Sequence, residues 1–172
     1  MPINRGPWNA LVDDDGSNLV GSIWNKAAIK TVLLDPTDAF VSNGGTWAPW
    51  AVSWVANAGG QSLGNGTLTG RYTLTGNIVT VALALLFGST TVAGTGYWKF
   101  GLPFTPSTVF PEHQTNFYAG CTNAGSGQAP LAAYFAGGTV HCVTSAGALV
   151  GGTVPFTWAT NCALMIRGTY EI

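Results

Sequence analysis

An all-β fold, a jelly-roll-like antiparallel β-sandwich carrying a short N-terminal helical arm, is predicted by three features of the sequence. Residues 67–87 read as a β-hairpin. Thr67-Leu68-Thr69-Gly70-Arg71-Tyr72-Thr73-Leu74 alternates with period two, Gly76-Asn77 supplies the turn, and residues 78–87 are aliphatic and β-branched. The 24 glycines and 9 prolines cut 172 residues into short runs that meet at tight turns, a pattern that suits strands and not a helical bundle. Alternating runs then recur to the last residues, giving roughly eight strand candidates.

Ser42-Asn43-Gly44-Gly45 divides the chain into a docking arm, 1–44, and a β-sandwich domain, 45–172. The arm opens polar and turn-rich through Asp13-Asp14-Asp15-Gly16-Ser17-Asn18. Helical spacing follows over 19–32, with Leu19, Ile23, Ala27 and Lys30 on one side and Val20, Trp24 and Ala28 beside them. Ser17 or Asn18 caps that helix, the aspartates face its positive end, Gly21 weakens it, and Pro36 ends it. Five of the seven acidic residues fall within the first 38 positions, so the arm has its own solvent or docking environment. Trp8, Ile23, Trp24 and Leu34 are its expected contacts with a sheet or a neighbouring chain.

In the domain, Trp50, Val52 and Trp54 share a parity on a first strand over 46–55, and Pro49 puts that strand at an edge. Leu68, Gly70, Tyr72 and Leu74 face inward, as do Val79, Val81, Leu83, Leu85 and Phe87. The reverse face of the second hairpin strand, Ile78, Thr80, Ala82, Ala84 and Leu86, is apolar enough to predict cover by the arm or by another copy. Residues 88–96 read as a loop, and 97–102 as a strand burying Trp98, Phe100 and Leu102. Pro103, Pro106 and Pro111 enforce a crossing that exposes Glu112 and His113. Strand character resumes at 116–121. Gly137-Gly138 joins 130–135 to 139–144, and 161–172 alternates, with Cys162, Leu164, Ile166 and Tyr170 opposite Met165, Arg167, Thr169 and Glu171.

Composition and motifs favour a structural or binding module over an enzyme. Six Lys plus Arg against seven Asp plus Glu leave almost no cations for a nucleic-acid groove. No signal peptide is read at the start, and the apolar run at 78–87 is too short to cross a bilayer as a helix. His113 and His141 are the only histidines, neither lies in a GxSxG elbow, and His141 and Cys142 point to opposite faces of a strand. Glu112 and Glu171 are the only acids of the β-domain, and nothing in their spacing pairs them for glycoside hydrolysis. Asp13, Asp14, Asp15 and Asn18 lack calcium-loop periodicity and read as a capping turn, so no metal or cofactor is expected. Cys121, Cys142 and Cys162 fit no zinc spacing and read as unpaired core thiols, with one disulfide plus one free thiol as the alternative. Several aromatics could stack on a sugar. Core packing accounts for Trp50, Trp54 and Trp98, while Trp47 and Tyr118, with His113, are candidates for surface recognition.

The segments Leu63-Gly64-Asn65-Gly66-Thr67-Leu68-Thr69-Gly70-Arg71-Tyr72, Gly76-Asn77-Ile78-Val79-Thr80-Val81, Phe87-Gly88-Ser89-Thr90-Thr91 and Gly94-Thr95-Gly96-Tyr97-Trp98-Lys99-Phe100-Gly101-Leu102-Pro103 resemble tailed-bacteriophage virion surface proteins. Capsid decoration proteins and tail-fibre receptor-binding domains are both among them. The front end, from Trp8-Asn9-Ala10 to Leu34-Asp35-Pro36, resembles an attachment segment. The resemblance implies a non-enzymatic, cofactor-free homotrimer on the virion surface, assembled in the host cytoplasm. Its partners would be a major capsid protein or another virion protein, with no nucleic acid and no membrane. A decoration or cement protein that stabilises the shell is the leading expectation, and a tail-fibre domain recognising a host glycan or protein is the alternative.

Overall fold

A computed structural model describes residues 45–109, 117–125 and 127–172. The expected helix, the arm contacts Trp8, Ile23, Trp24 and Leu34, and the loop residues Glu112 and His113 lie outside them.

Alternation builds the centre of the fold. The hairpin forms as β4 (Thr67–Thr75) and β5 (Ile78–Leu86), paired from Thr67 opposite Leu86 to Thr75 opposite Ile78. On β5 the odd positions Val79, Val81, Leu83 and Leu85 are buried, and the hairpin's even positions on β4 line the same interior. The strand β11 (Ala163–Glu171) lies against β5 along its whole length and buries Leu164, Ile166 and Tyr170. On its other side β11 meets β8 (Phe117–Asn123), which is followed by β9 (Gly127–Ala136) and β10 (Thr139–Val143).

Two short strands close the arrangement. Residues 46–55, expected as one strand, divide into β1 (Ala48–Trp50) and β2 (Trp54–Ala56). β1 pairs with β4 at one end of the sheet, and β2 pairs with β7 (Trp98–Gly101) at the other. Three residues of chain join the two ends, so the sheet must curl until both edges meet on one segment. Gly70 makes the approach possible: a Cβ there would sit 2.8 Å from the Trp50 ring and overlap Val52.

The antiparallel all-β character is as the sequence predicts, but the two separate sheets of a jelly roll are replaced by one. Nine strands run β1-β4-β5-β11-β8-β9-β10-β7-β2 in a single curled sheet. A further pair joins β3 (Gln61–Ser62) to β6 (Val92–Ala93), the latter inside the segment 88–96 expected as a loop. β9 also starts earlier than expected and carries Pro130 inside it. The proline costs no ladder bond on the β10 side, because β10 stops at Val143, opposite Ala132.

Inside the curl, Trp54, Phe87, Trp98 and Trp158 make a cluster with ring centroids 4.8–5.9 Å apart. Trp98 and Trp158 donate their indole N–H groups to the carbonyls of Ala93 and Val154, so their polar edges are satisfied while their faces pack. At the other end, the Tyr170 hydroxyl bonds both the backbone N–H and the C=O of Phe104, each at 3.2 Å.

The glycine-rich segments that carry the viral resemblance are a joint between two turns. Asn65 accepts hydrogen bonds from the Thr90 N–H and hydroxyl, both at 2.9 Å, and donates to the Ser89 hydroxyl at 3.0 Å. Thr91 clamps the far side, accepting from the Gly88 N–H and donating to the Leu63 carbonyl. Any side chain at Gly88 would overlap the Asn65 amide.

Candidate functional site

Outward-facing positions on the strands β1, β4, β5, β11 and β8 form rows across the sheet. One row runs from Pro49 through Arg71, Ala82 and Arg167 to Tyr118, each opposite the next. A neighbouring row runs Thr69, Ala84, Met165 and Gly120. The central strand contributes only methyl groups, while its two neighbours carry long side chains. The result is a trough of about 300 Å³, floored by Ala82 and Ala84 and walled by Thr69 and Arg71 on one side and Met165 and Arg167 on the other.

Both arginines are exposed, and Arg71 lies over the Trp47 ring at 5.0 Å from its centroid. That cation–π contact fixes the guanidinium against a flat partner while leaving its N–H groups free to point outward. Trp47 is 41% exposed and Tyr118 79%. The sequence of groups across the face is therefore aromatic, cation, methyl floor, cation, aromatic. Glu171 is the only acidic side chain among the described residues, and Arg71, Lys99 and Arg167 are the only Lys or Arg. Glu171 lies four residues along β11 from Arg167, about 13 Å away along an extended strand.

Of the surface-recognition candidates, the structure puts Tyr118 at the β8 end of this row and Trp47, just before β1, against Arg71, and His113 lies outside the described residues. Trp50, Trp54, Trp98 and Trp158 are turned to the core or its margin. Arg71 and Arg167 were not singled out by the sequence reading. Their shared outward parity with threonines was visible, but their facing each other across Ala82 depends on β11 pairing with β5.

The remaining reactive groups are packed away. His141 is buried, lies between the rings of Tyr134 and Tyr97 at 5.5 and 5.6 Å, and is 3.0 Å from the Thr139 hydroxyl. Cys121, Cys142 and Cys162 are all free and buried, with no disulfide among them. Burial pushes the Cys142 thiol far up, with a contribution from Cys121 nearby. Burial also raises Cys121, partly offset by a backbone hydrogen bond with Ala129. These thiols have the character of small core hydrophobes, not nucleophiles. Among the described residues no three His, Cys, Asp or Glu side chains gather as a metal site, and no helix is long and apolar enough to cross a membrane.

Over 120 residues the chain is 35% identical to the Mu-like prophage FluMu defective tail fiber protein of Haemophilus influenzae. The match covers 64% of this chain and 18% of that protein, so the chain spans less than a fifth of its relative's length. No protein-family profile matches the chain, and no solved structure matches it.

Proposed function

We infer that this chain is a non-enzymatic recognition module of a phage tail fibre, displayed on the virion and turned toward a receptor on the host surface. The sequence relation to a prophage tail fibre protein carries the reading, and it favours the fibre over the shell-decoration role that was the leading expectation from the virion-protein resemblance. The geometry is consistent with recognition. Arg71, Arg167 and Tyr118 are held outward on paired strands, where the ladder fixes their spacing, and Trp47 packs on Arg71 beside them.

The absence of catalysis belongs to the same reading. It is supported by the single acidic side chain among the described residues and by the packing of His141 between two tyrosines. The homotrimer implied by the viral resemblance is carried with it, as an assembly of identical fibre modules, and sedimentation velocity on the purified chain tests it.

Immunogold labelling of intact particles with an antibody to this chain tests the location. A handful of labels at the tail end supports a fibre module. Labels spread over the head in high copy number would return the chain to shell decoration.

A further inference from the structure

We propose that the trough between Arg71 and Arg167 binds an anionic saccharide, a sugar chain bearing carboxylate or phosphate groups, across the strands. The proposal rests on the recognition reading above and names the ligand class and the residues that hold it.

Charge selects an anion. Both arginines face outward, and the only acidic side chain among the described residues is about 13 Å along the strand from the nearer one. The guanidinium fork suits the paired oxygens of a carboxylate or phosphate better than any neutral group. With one strand between them, the arginine backbones are about 10 Å apart, and both side chains line the same trough, so both can reach anionic groups of one ligand.

Shape and the flanking rings select a sugar. A pyranose has apolar C–H faces and a polar rim, so it matches a methyl floor bounded by hydroxyl and guanidinium groups. Ala82 and Ala84 supply that floor, and Thr69 one such rim hydroxyl. Trp47, packed on Arg71 of β4, and Tyr118 of β8 then offer ring faces at the two ends, with three strand spacings or about 14 Å between those strands. That span exceeds one ring and fits a short run of them. The trough's 300 Å³ is the lower end of the ligand-pocket range, about 300–1,000 Å³, as expected for one sugar unit seated at the centre of an extended contact.

The rival occupants are distinguishable. A nucleic acid would need a longer cationic track than two arginines. An acidic peptide would use the arginines but not the flat faces at both ends. A second copy of the chain would use Met165, 52% exposed, as an apolar contact.

The test is a tryptophan-fluorescence titration of the full chain with four polymers: polygalacturonate, phosphorylated dextran, unmodified dextran and poly-glutamate. The wild type binds at least one of the two acidic polysaccharides, and which of them binds separates a carboxylate from a phosphate source. Unmodified dextran and poly-glutamate bind at least tenfold more weakly. Arg167→Gln loses about tenfold or more in affinity, as removal of a charged hydrogen bond does. Arg167→Lys recovers part of it, and Tyr118→Ala weakens binding without altering the salt dependence. Both side chains are exposed, so thermal melts of the variants match the wild type.

Three results would overturn the proposal: no binding of either acidic polysaccharide, equal binding of poly-glutamate or dextran, or a trimer dispersed by Met165→Glu. Binding of labelled chain to host cells that persists in an Arg71→Ala, Arg167→Gln double variant would also overturn it while leaving the recognition role standing. Absence of cell binding by a wild type that still takes up the polysaccharide would remove the role and leave the site.

Discussion

Replacing Asn65 with alanine tests whether the joint between the 63–66 and 88–91 turns holds the curled sheet together. The side chain makes three hydrogen bonds of 2.9–3.0 Å, two accepted from Thr90 and one donated to Ser89. At about 1 kcal/mol net per neutral bond the ceiling is near 3 kcal/mol. The site is exposed, so water takes over part of what is lost, and the expected cost of Asn65→Ala is about 1–2 kcal/mol. In a domain of this size that lowers Tm by about 3–8 °C and moves the urea midpoint without changing the m-value. Asn65→Asp separates hydrogen bonding from mere bulk. A carboxylate still accepts both Thr90 bonds, and the Ser89 hydroxyl can turn to donate to it, so this variant stays within about 0.5 kcal/mol of the wild type. Equal destabilisation by Ala and Asp, or an Ala variant as stable as the wild type, would refute the account of the motif as a hydrogen-bonded joint.

Gly70→Ala forces a methyl group into Trp50 and Val52 at the closure and costs about 1–3 kcal/mol by urea unfolding, whereas Gly120→Ala, with open space around it, changes stability by less than about 0.5 kcal/mol. Stability also falls at alkaline pH: a thiol or phenol with a raised folded pKa keeps its proton after the unfolded chain has lost it. The stabilisation is therefore full below the unfolded value and drains away as pH climbs toward the folded one. Burial lifts Cys121 and Cys142 above 9.0 and Tyr170 from 10.0 to about 12, so urea midpoints decline from pH about 9 upward, and Tyr170→Phe flattens the upper part of that decline. All three buried cysteines are inert to Ellman's reagent in the native protein and react together as it unfolds; a fast native phase would contradict their burial.

Faces were legible in the sequence and partners were not. Period two assigned Val79, Val81, Leu83 and Leu85 to the interior, because a strand sends alternate side chains to opposite sides whatever it pairs with. Turn chemistry likewise located the hairpins at Gly76-Asn77 and Gly137-Gly138. Alternation says nothing about which strand lies beside which. Trp50, Val52 and Trp54 share an inward parity, and that parity holds although β1 and β2 pair with opposite ends of the sheet. One continuous curled sheet and two stacked sheets therefore leave the same imprint on the residues. The candidate site was half legible for the same reason. Trp47 and Tyr118 were noticed as aromatics without a core stripe. The arginine pair comes into being only through the pairing of β4 and β11 on either side of β5, a long-range fact with no local signal.

The position of β11 has a consequence for biosynthesis. This strand leaves the ribosome after every other described strand, yet it is inserted between β5 and β8, near the middle of the sheet. Until it emerges, the nascent chain can pair every other strand of the large sheet but leaves β5 and β8 with unpaired edges facing the gap that β11 fills, and such exposed edges favour wrong pairing. A message cut short before Ala163 would leave both edges of that gap open, so the two halves of the sheet join only once this strand is made.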